Sequence, residues 1–146
     1  LYHLATRLDL LDARECETAL TPHPGEMARL LGRPVEDPVK DAQTFAAAHR
    51  CVVLLKGACT VIAAPDGRLT FNVIGTSGMA TAGSGDALTG IITALLAQGL
   101  SAYDAARAGA YLHARAGLRA EKKFGAASIT AWDISECVRL EGCGID

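Results

Sequence analysis

The sequence carries no large excess of charge of either sign: 14 Lys and Arg stand against 16 Asp and Glu, a net charge of −2 at pH 7. That balance removes the basic footprint expected of a nucleic-acid binder. A phosphate ligand would have to be held by local geometry and not by a global field. No apolar run reaches the length of a membrane helix, because polar residues interrupt each of the longest periodic stretches. The five cysteines (Cys16, Cys51, Cys59, Cys137, Cys143) form no C-x-x-C pair and have no metal-like spacing with histidine. They read as reduced thiols of a cytoplasmic protein. No set of His, Asp and Glu has metal-ligand spacing either. Before Leu1 there is no initiator Met, signal-peptide pattern or transit composition, so the chain is expected to be a piece of a longer one. Internal repeats, low-complexity tracts and interdomain linkers are also lacking.

What remains is a globular composition, 50% hydrophobic and 21% charged over 146 residues. That is about one domain, residues 1–146, with room for a core that buries roughly two-thirds of the unfolded surface. The densest signal is GTSGMATAGSGDALTG at 75–90. Small residues let a backbone approach a ligand closely and take left-handed conformations. An apolar helix pattern follows directly (Ala87, Leu88, Ile91, Ile92, Leu95, Leu96). A glycine-rich loop feeding a helix N-terminus aims unpaired N–H groups at one point, where the helix dipole favours an anion. Asp86 is expected to open that helix beside the anion site; the plainer reading makes it an N-cap. No Gly-Lys-Ser/Thr closes a Walker A loop. Gly83 and Gly85 have no glycine three residues on, so the dinucleotide fingerprint fails as well.

The rest of the chain reads as alternating strands and helices. Residues 1–8 look like the tail of a helix, and 16–21 like a short strand. Pro24 suits a first helical position, Glu26 its first turn and Gly32 its C-terminal stop. Thr21, Pro22 and His23 then lie on a strand-to-helix loop, where ligands bind in open α/β sheets. A second helix starts at Asp37 and Pro38 and runs to about His49. CVVLL at 51–55 suits a strand buried on both faces. VIAA and LTFNV flank the Pro65-Asp66-Gly67 turn and are expected to form an antiparallel hairpin. A helix over 86–98 stops at Gly99. Ser101 caps another, running to about Ala120 with apolar positions Ala105, Ala108, Tyr111, Leu112 and Ala116. A last helix begins near Thr130 or Ala131 and carries Ile134, Val138 and Leu140. This order predicts an α/β layered domain.

Among residues that could carry chemistry, Lys56 ends a buried strand, Gly57 permits a tight turn and Thr60 adds a hydroxyl. By itself that string reads first as a plain strand end and turn; beside the glycine-rich loop it becomes a second wall for a nucleotide. His23, between two prolines, has a stiff backbone, and is otherwise read as a structural hydrogen-bonder. Glu26 reads as a helix-dipole residue and His113 as packing or capping; His3 and His49 show no partner signal. Phe71, Tyr111 and Trp132 read as core. Cys59 has no visible base to activate it.

The G-S-G-D at the helix start resembles the anion hole of ribokinase-like kinases. TPHPGEMARLLG, VVLLKGACTVIAAPDG, GTSGMATAGSGDALTGIITALLAQG, YLHARAG and SITAWDI, in order, resemble the C-terminal half of the ADP-dependent NAD(P)H-hydrate dehydratases. That resemblance implies a three-layer ribokinase-like sandwich whose N-terminal half is absent. A sheet cut near its middle is expected to expose a long apolar edge. The resemblance also implies that His23 and Asp86 contact the hydrated dinucleotide, with Asp86 catalytic. Lys56, Gly57, Ala58, Cys59 and Thr60 would line the nucleotide, joined by Gly85. It further implies ADP as phosphoryl donor, Mg²⁺ on its phosphates, and an NAD(P)H-hydrate epimerase fused or working alongside, while the expected apolar edge invites pairing into a homo-oligomer. Two other readings stay open: a sugar or vitamin-alcohol kinase, and a nucleotide-binding remnant without catalysis.

Overall fold

Parallel pairing of two short strands decides where the functional residues meet. Strand β1 (Ala19–Leu20) lies beside β2 (Val52–Leu55) with Ala19 opposite Val52 and Leu20 opposite Val53. The register continues past the strands, because the Lys56 N–H donates to the Pro22 carbonyl at 2.8 Å. The chain then turns back twice: β3 (Thr60–Ala63) is antiparallel to β2, and β4 (Leu69–Asn72) is antiparallel to β3. The sheet order is β1-β2-β3-β4, so β1, β2 and β4 all deliver their C-terminal ends to one edge. The structure, a computed structural model, describes residues 1–141, with side chains to Val138. The Leu140 side chain and Cys143 lie outside the described residues.

The helices follow from local chemistry. Helix α2 (Pro24–Leu31) has Pro24 at its first position, where a missing N–H is harmless, and ends on Gly32 in the left-handed region at φ 67°. Helix α3 (Pro38–His49) starts under the Asp37 carboxylate, which accepts the Val39 and Lys40 amides. Helix α4 (Ser84–Ala97) follows Gly83, and α5 (Ala102–Phe124) is capped by the Ser101 hydroxyl on the Asp104 N–H. Helix α6 comprises Ala131–Glu141, and a short α1 (Leu8–Asp12) precedes β1.

Alternation along β2 and β3 builds the layers. Val53, Leu55, Val61 and Ala63 face a core made with α2 and α3, including Met27, Leu30 and Phe45. Val52, Leu54 and Ile62 face the other way, onto Leu88 and Ile92 of α4 and the alanine face of α5. Successive side chains of a strand point to opposite faces, so one buried tetrapeptide serves two cores. Helices therefore cover both faces of a mixed sheet, giving the three-layer α/β sandwich. Truncating fully buried Met27 to Ala costs about 2–5 kcal/mol in such a setting. Helices α4 and α5 approach closely because α5 offers alanines and Gly109; a Cβ at Gly109 would stand 2.6 Å from Ile92 Cγ1.

Several expectations need correction. Residues 1–8 hold a 3-10 turn at Leu4–Thr6 and the start of α1, not one continuous helix. Helix α4 begins at Ser84, so Asp86 is its third residue; Gly83 takes the cap position, which removes the N-cap reading of Asp86. Helix α5 continues to Phe124. Phe71, Tyr111 and Trp132 are not core: they are 48%, 46% and 74% exposed. Phe71 lies on β4, which among the described residues pairs with β3 alone. His49 has a partner after all, with Nδ1 2.8 Å from Asp12 Oδ1. The β1 edge is two residues long, not the long apolar edge expected.

Candidate functional site

A cavity of about 720 Å³ opens at the edge where β1, β2 and β4 end. Its wall takes His23 from the start of α2 and Lys56, Gly57, Ala58 and Thr60 from the β2–β3 turn. Asn72 ends β4 and Val73 to Ser77 follow it, Ser84 and Gly85 come from α4, and Ala110 and His113 from α5. Six of the eight residues singled out in sequence thus share one cavity. Cys59 and Asp86 do not line it. Both are exposed, Asp86 on the first turn of α4 directly after Gly85.

His23 is fixed by its own helix. Its Nδ1 accepts the Glu26 N–H at 3.2 Å, while the Glu26 carboxylate accepts the His23 N–H at 2.9 Å, a reciprocal capping box. The ring can lie over the helix start because residue 25 is glycine; a Cβ there would stand 3.1 Å from His23 Cε1. An accepting Nδ1 puts the proton of the neutral ring on Nε2, so His23 offers the half-exposed site a donor and not a base.

Lys56 is placed by β2 and meets two opposite influences. Its Nζ is 3.7 Å from Glu26 Oε2 and would be 3.1 Å from a Cβ on Gly85. Burial acts to raise the Glu26 pKa, but the His23 backbone N–H, the Lys56 charge and the His23 ring whenever it is protonated together hold it below 4.5. On the other side the ammonium abuts the positive end of α4. Two positive features converging on one gap make a place for an anion. Within the turn itself the Thr60 hydroxyl donates to the Gly57 carbonyl at 3.3 Å and closes it.

The first turn of α4 is partly closed on itself. The Ser84 N–H donates to Thr81 O at 3.2 Å and the Asp86 N–H to Gly83 O at 3.0 Å. The anion-facing element therefore narrows to the Gly85 region and Lys56. Behind it, His113 Nε2 lies 3.2 Å from Ser84 Oγ. Burial pushes the His113 pKa below 6.5 and the Lys56 charge adds to this, against the contrary pull of the Ser84 bond. The ring is neutral at pH 7. Among the described residues no group of three His, Cys, Asp or Glu converges as a metal cage.

Sequence reasoning missed Asn72, Thr76 and Thr81 on the wall, and the connecting role of Glu26. Asn72 was legible in principle. A hairpin that returns β4 parallel to β2 must bring its C-terminal residue beside Thr60, its partner in register.

The match to known proteins is broad. A family described as NAD(P)H-hydrate dehydratase matches residues 1–139. A bifunctional NAD(P)H-hydrate repair enzyme of Moorella thermoacetica is 50% identical over 135 residues, covering 90% of this chain and 26% of that protein. An ADP-dependent (S)-NAD(P)H-hydrate dehydratase of Neisseria meningitidis is 44% identical over 133 residues, covering 87% of this chain and 45% of its own. A solved structure of the ADP/ATP-dependent NAD(P)H-hydrate dehydratase of Bacillus subtilis, co-crystallised with ATP/Mg²⁺ and soaked with CoA, superposes with a TM-score of 0.82. It is 34% identical and the match covers 87% of this chain and 48% of that one. Phosphofructokinase-2 of Escherichia coli, at TM-score 0.60 and 21% identity, shares the fold. The chain spans between a quarter and a half of the length of these relatives.

Proposed function

The chain belongs to the NAD(P)H-hydrate dehydratase family, and on that premise we propose that the protein uses ADP to dehydrate (6S)-NAD(P)H hydrate to NAD(P)H, releasing AMP and phosphate. The observation that supports this most directly is the single cavity that joins His23 to Lys56 and Gly85. A polar donor for an organic substrate and a cationic pocket for phosphate share one edge of the sheet, as a phosphoryl transfer between two bound molecules needs.

In this reading Lys56 and the Gly85 turn bind the ADP phosphates and neutralise charge on the moving phosphoryl group. Gly57, Ala58, Cys59 and Thr60 carry the turn against which the nucleotide lies. His23 donates from Nε2 to the hydrated dinucleotide. Asp86 orients the C6 hydroxyl and accepts its proton as the oxygen bonds to phosphorus and AMP departs. The C6–O bond then breaks with the push of the ring nitrogen lone pair. A ring proton leaves, the double bond closes, and phosphate carries off the original water oxygen. At the α4 N-terminus the dipole favours the ionised carboxylate, so Asp86 acts more by positioning than by basicity. Among the described residues none build a cage for Mg²⁺. An ion carried on phosphate oxygens and water is compatible with them, and no step here depends on it.

The reading extends to partners. The bifunctional relatives support a working association with an NAD(P)H-hydrate epimerase, and the exposed Phe71 and Val73 support a homo-oligomer. No helix among the described residues is long and apolar enough to cross a membrane. We place the reaction in the cytoplasm, where the free thiols stay reduced.

The test follows the fate of the phosphorylated oxygen. The full-length protein, given ADP, Mg²⁺ and chemically hydrated NADH, should restore the near-ultraviolet absorbance of NADH and release phosphate in equal amount. Without a nucleotide nothing should happen. If the hydrate stays untouched while a sugar or vitamin alcohol accumulates as a stable phosphate ester, the protein is a kinase and this reading is wrong.

A further inference from the structure

Glu26 stands where the two sides of the cavity wall meet. Its carboxylate accepts the His23 N–H at 2.9 Å, and Oε2 lies 3.5 Å from His23 Nε2 and 3.7 Å from Lys56 Nζ. The capping box accounts for the first contact, since it satisfies an amide at the start of α2. It does not account for the third. A capping glutamate needs no lysine, and Lys56 arrives from β2, on another element of the sheet. The ammonium also abuts the first turn of the 14-residue α4, where a cation is disfavoured. It stays there with an anion beside it, and Glu26 is the carboxylate paired with it among the described residues.

Resting on the nucleotide reading above, we propose that Glu26 is a positioning residue, the exchangeable counterion of Lys56, which holds the ammonium at the cavity until a phosphate oxygen takes its place. The geometry suits exchange. At 3.7 Å the pair is long, and the two side chains keep 28% and 23% of their exposure, so the contact is weaker than one to a doubly charged phosphate. When Lys56 turns to phosphate, Glu26 remains on the His23 amide. One carboxylate thus touches both the nucleotide side of the cavity and the His23 side.

ADP titrations of the full-length protein, by calorimetry, decide it. Glu26→Gln keeps an oxygen for the His23 amide, so the α2 cap survives and Tm should hold. This variant should bind ADP roughly three- to tenfold more tightly, since phosphate no longer competes with a carboxylate. The gain should vanish in a Lys56→Met background titrated to saturation. Glu26→Ala, which loses the cap, should lower Tm yet show the same tightening. A merely structural Glu26 gives unchanged or weaker ADP binding in Glu26→Gln, which overturns the proposal. A gain that persists without Lys56 overturns it too, because the carboxylate would then act on the ligand directly. If the wild-type protein fails to bind ADP at all, the nucleotide reading itself falls and takes this role with it; if the wild type binds and the variant does not differ, only the role of Glu26 falls.

Discussion

His113 Nε2 and Ser84 Oγ form a buried hydrogen bond of 3.2 Å that ties the middle of α5 to the first residue of α4. It anchors the glycine-rich entry to α4 at the cavity wall, which both residues line. Losing it should loosen the one helix end that Lys56 abuts.

His113→Gln tests that bond through its pH dependence. The native pKa lies below 6.5 because burial disfavours the imidazolium. Below pH 6.5 the unfolded chain takes up a proton that the native state refuses, so native stability falls as pH drops from there through the folded value. Glutamine keeps a partner for Ser84 and does not titrate. The variant should lose about 1 kcal/mol at neutral pH, but its Tm should decline less steeply than the wild type's below pH 6.5. Parallel Tm-against-pH curves would remove His113 from the acid response.

Asp86→Asn should separate binding from chemistry. The carboxylate is exposed on the first turn of α4 and contributes nothing to the cavity wall. Turnover of hydrated NADH should fall by about 10²-fold or more, with ADP affinity kept within a few-fold. Near-normal turnover would leave Asp86 a simple helix-dipole residue.

Gly85→Ala should make the protein more stable and worse at binding. Alanine raises helix propensity by up to about 1 kcal/mol over glycine. The new Cβ would stand 3.1 Å from Lys56 Nζ and push the ammonium aside. Thermal melts should show an unchanged or higher Tm while ADP affinity drops roughly tenfold. A variant that is stabilised and still binds ADP normally would detach Lys56 from the anion site.

Cysteine labelling can map the nucleotide turn. Cys16 and Cys59 are exposed, whereas Cys51 is buried and its thiol is pushed up to about 11. Iodoacetamide should modify the first two quickly in native protein and leave Cys51 untouched until denaturant is added. ADP lying against the Lys56–Thr60 turn should slow Cys59 several-fold relative to Cys16. Equal slowing of both, or of neither, would place the nucleotide elsewhere.

Much of this was legible in local chemistry. Pro24 and Gly32 bounded α2, Asp37 and Ser101 announced their helices, and Pro65-Asp66-Gly67 fixed the hairpin. Such signals act over a few residues and survive any tertiary context. What was hidden depends on partners far along the chain. His49 meets Asp12, and Glu26 meets Lys56, through register that no window of sequence contains. Phe71 reads as core because a large apolar residue in a strand usually is; its exposure goes with β4 having, among the described residues, a neighbour on one side only. The structure starts α4 two residues before the expected Asp86, because Gly83, with no capping side chain, takes φ 84° at the cap and leaves Asp86 inside the first turn.

Val52, Val53, Leu54 and Leu55 alternate between the two cores, so β2 is gripped from both faces. The mechanical result is that Lys56, at its end, is the fixed jaw of a vice. The opposing jaw, residues 75–83, contains no regular element longer than the 3-10 turn Ser77–Met79, and Met79 packs it against the core between α5 and α6. Adjustment to a ligand of different size therefore falls on the glycine-rich side. The lysine remains the reference point from which the phosphate position is measured.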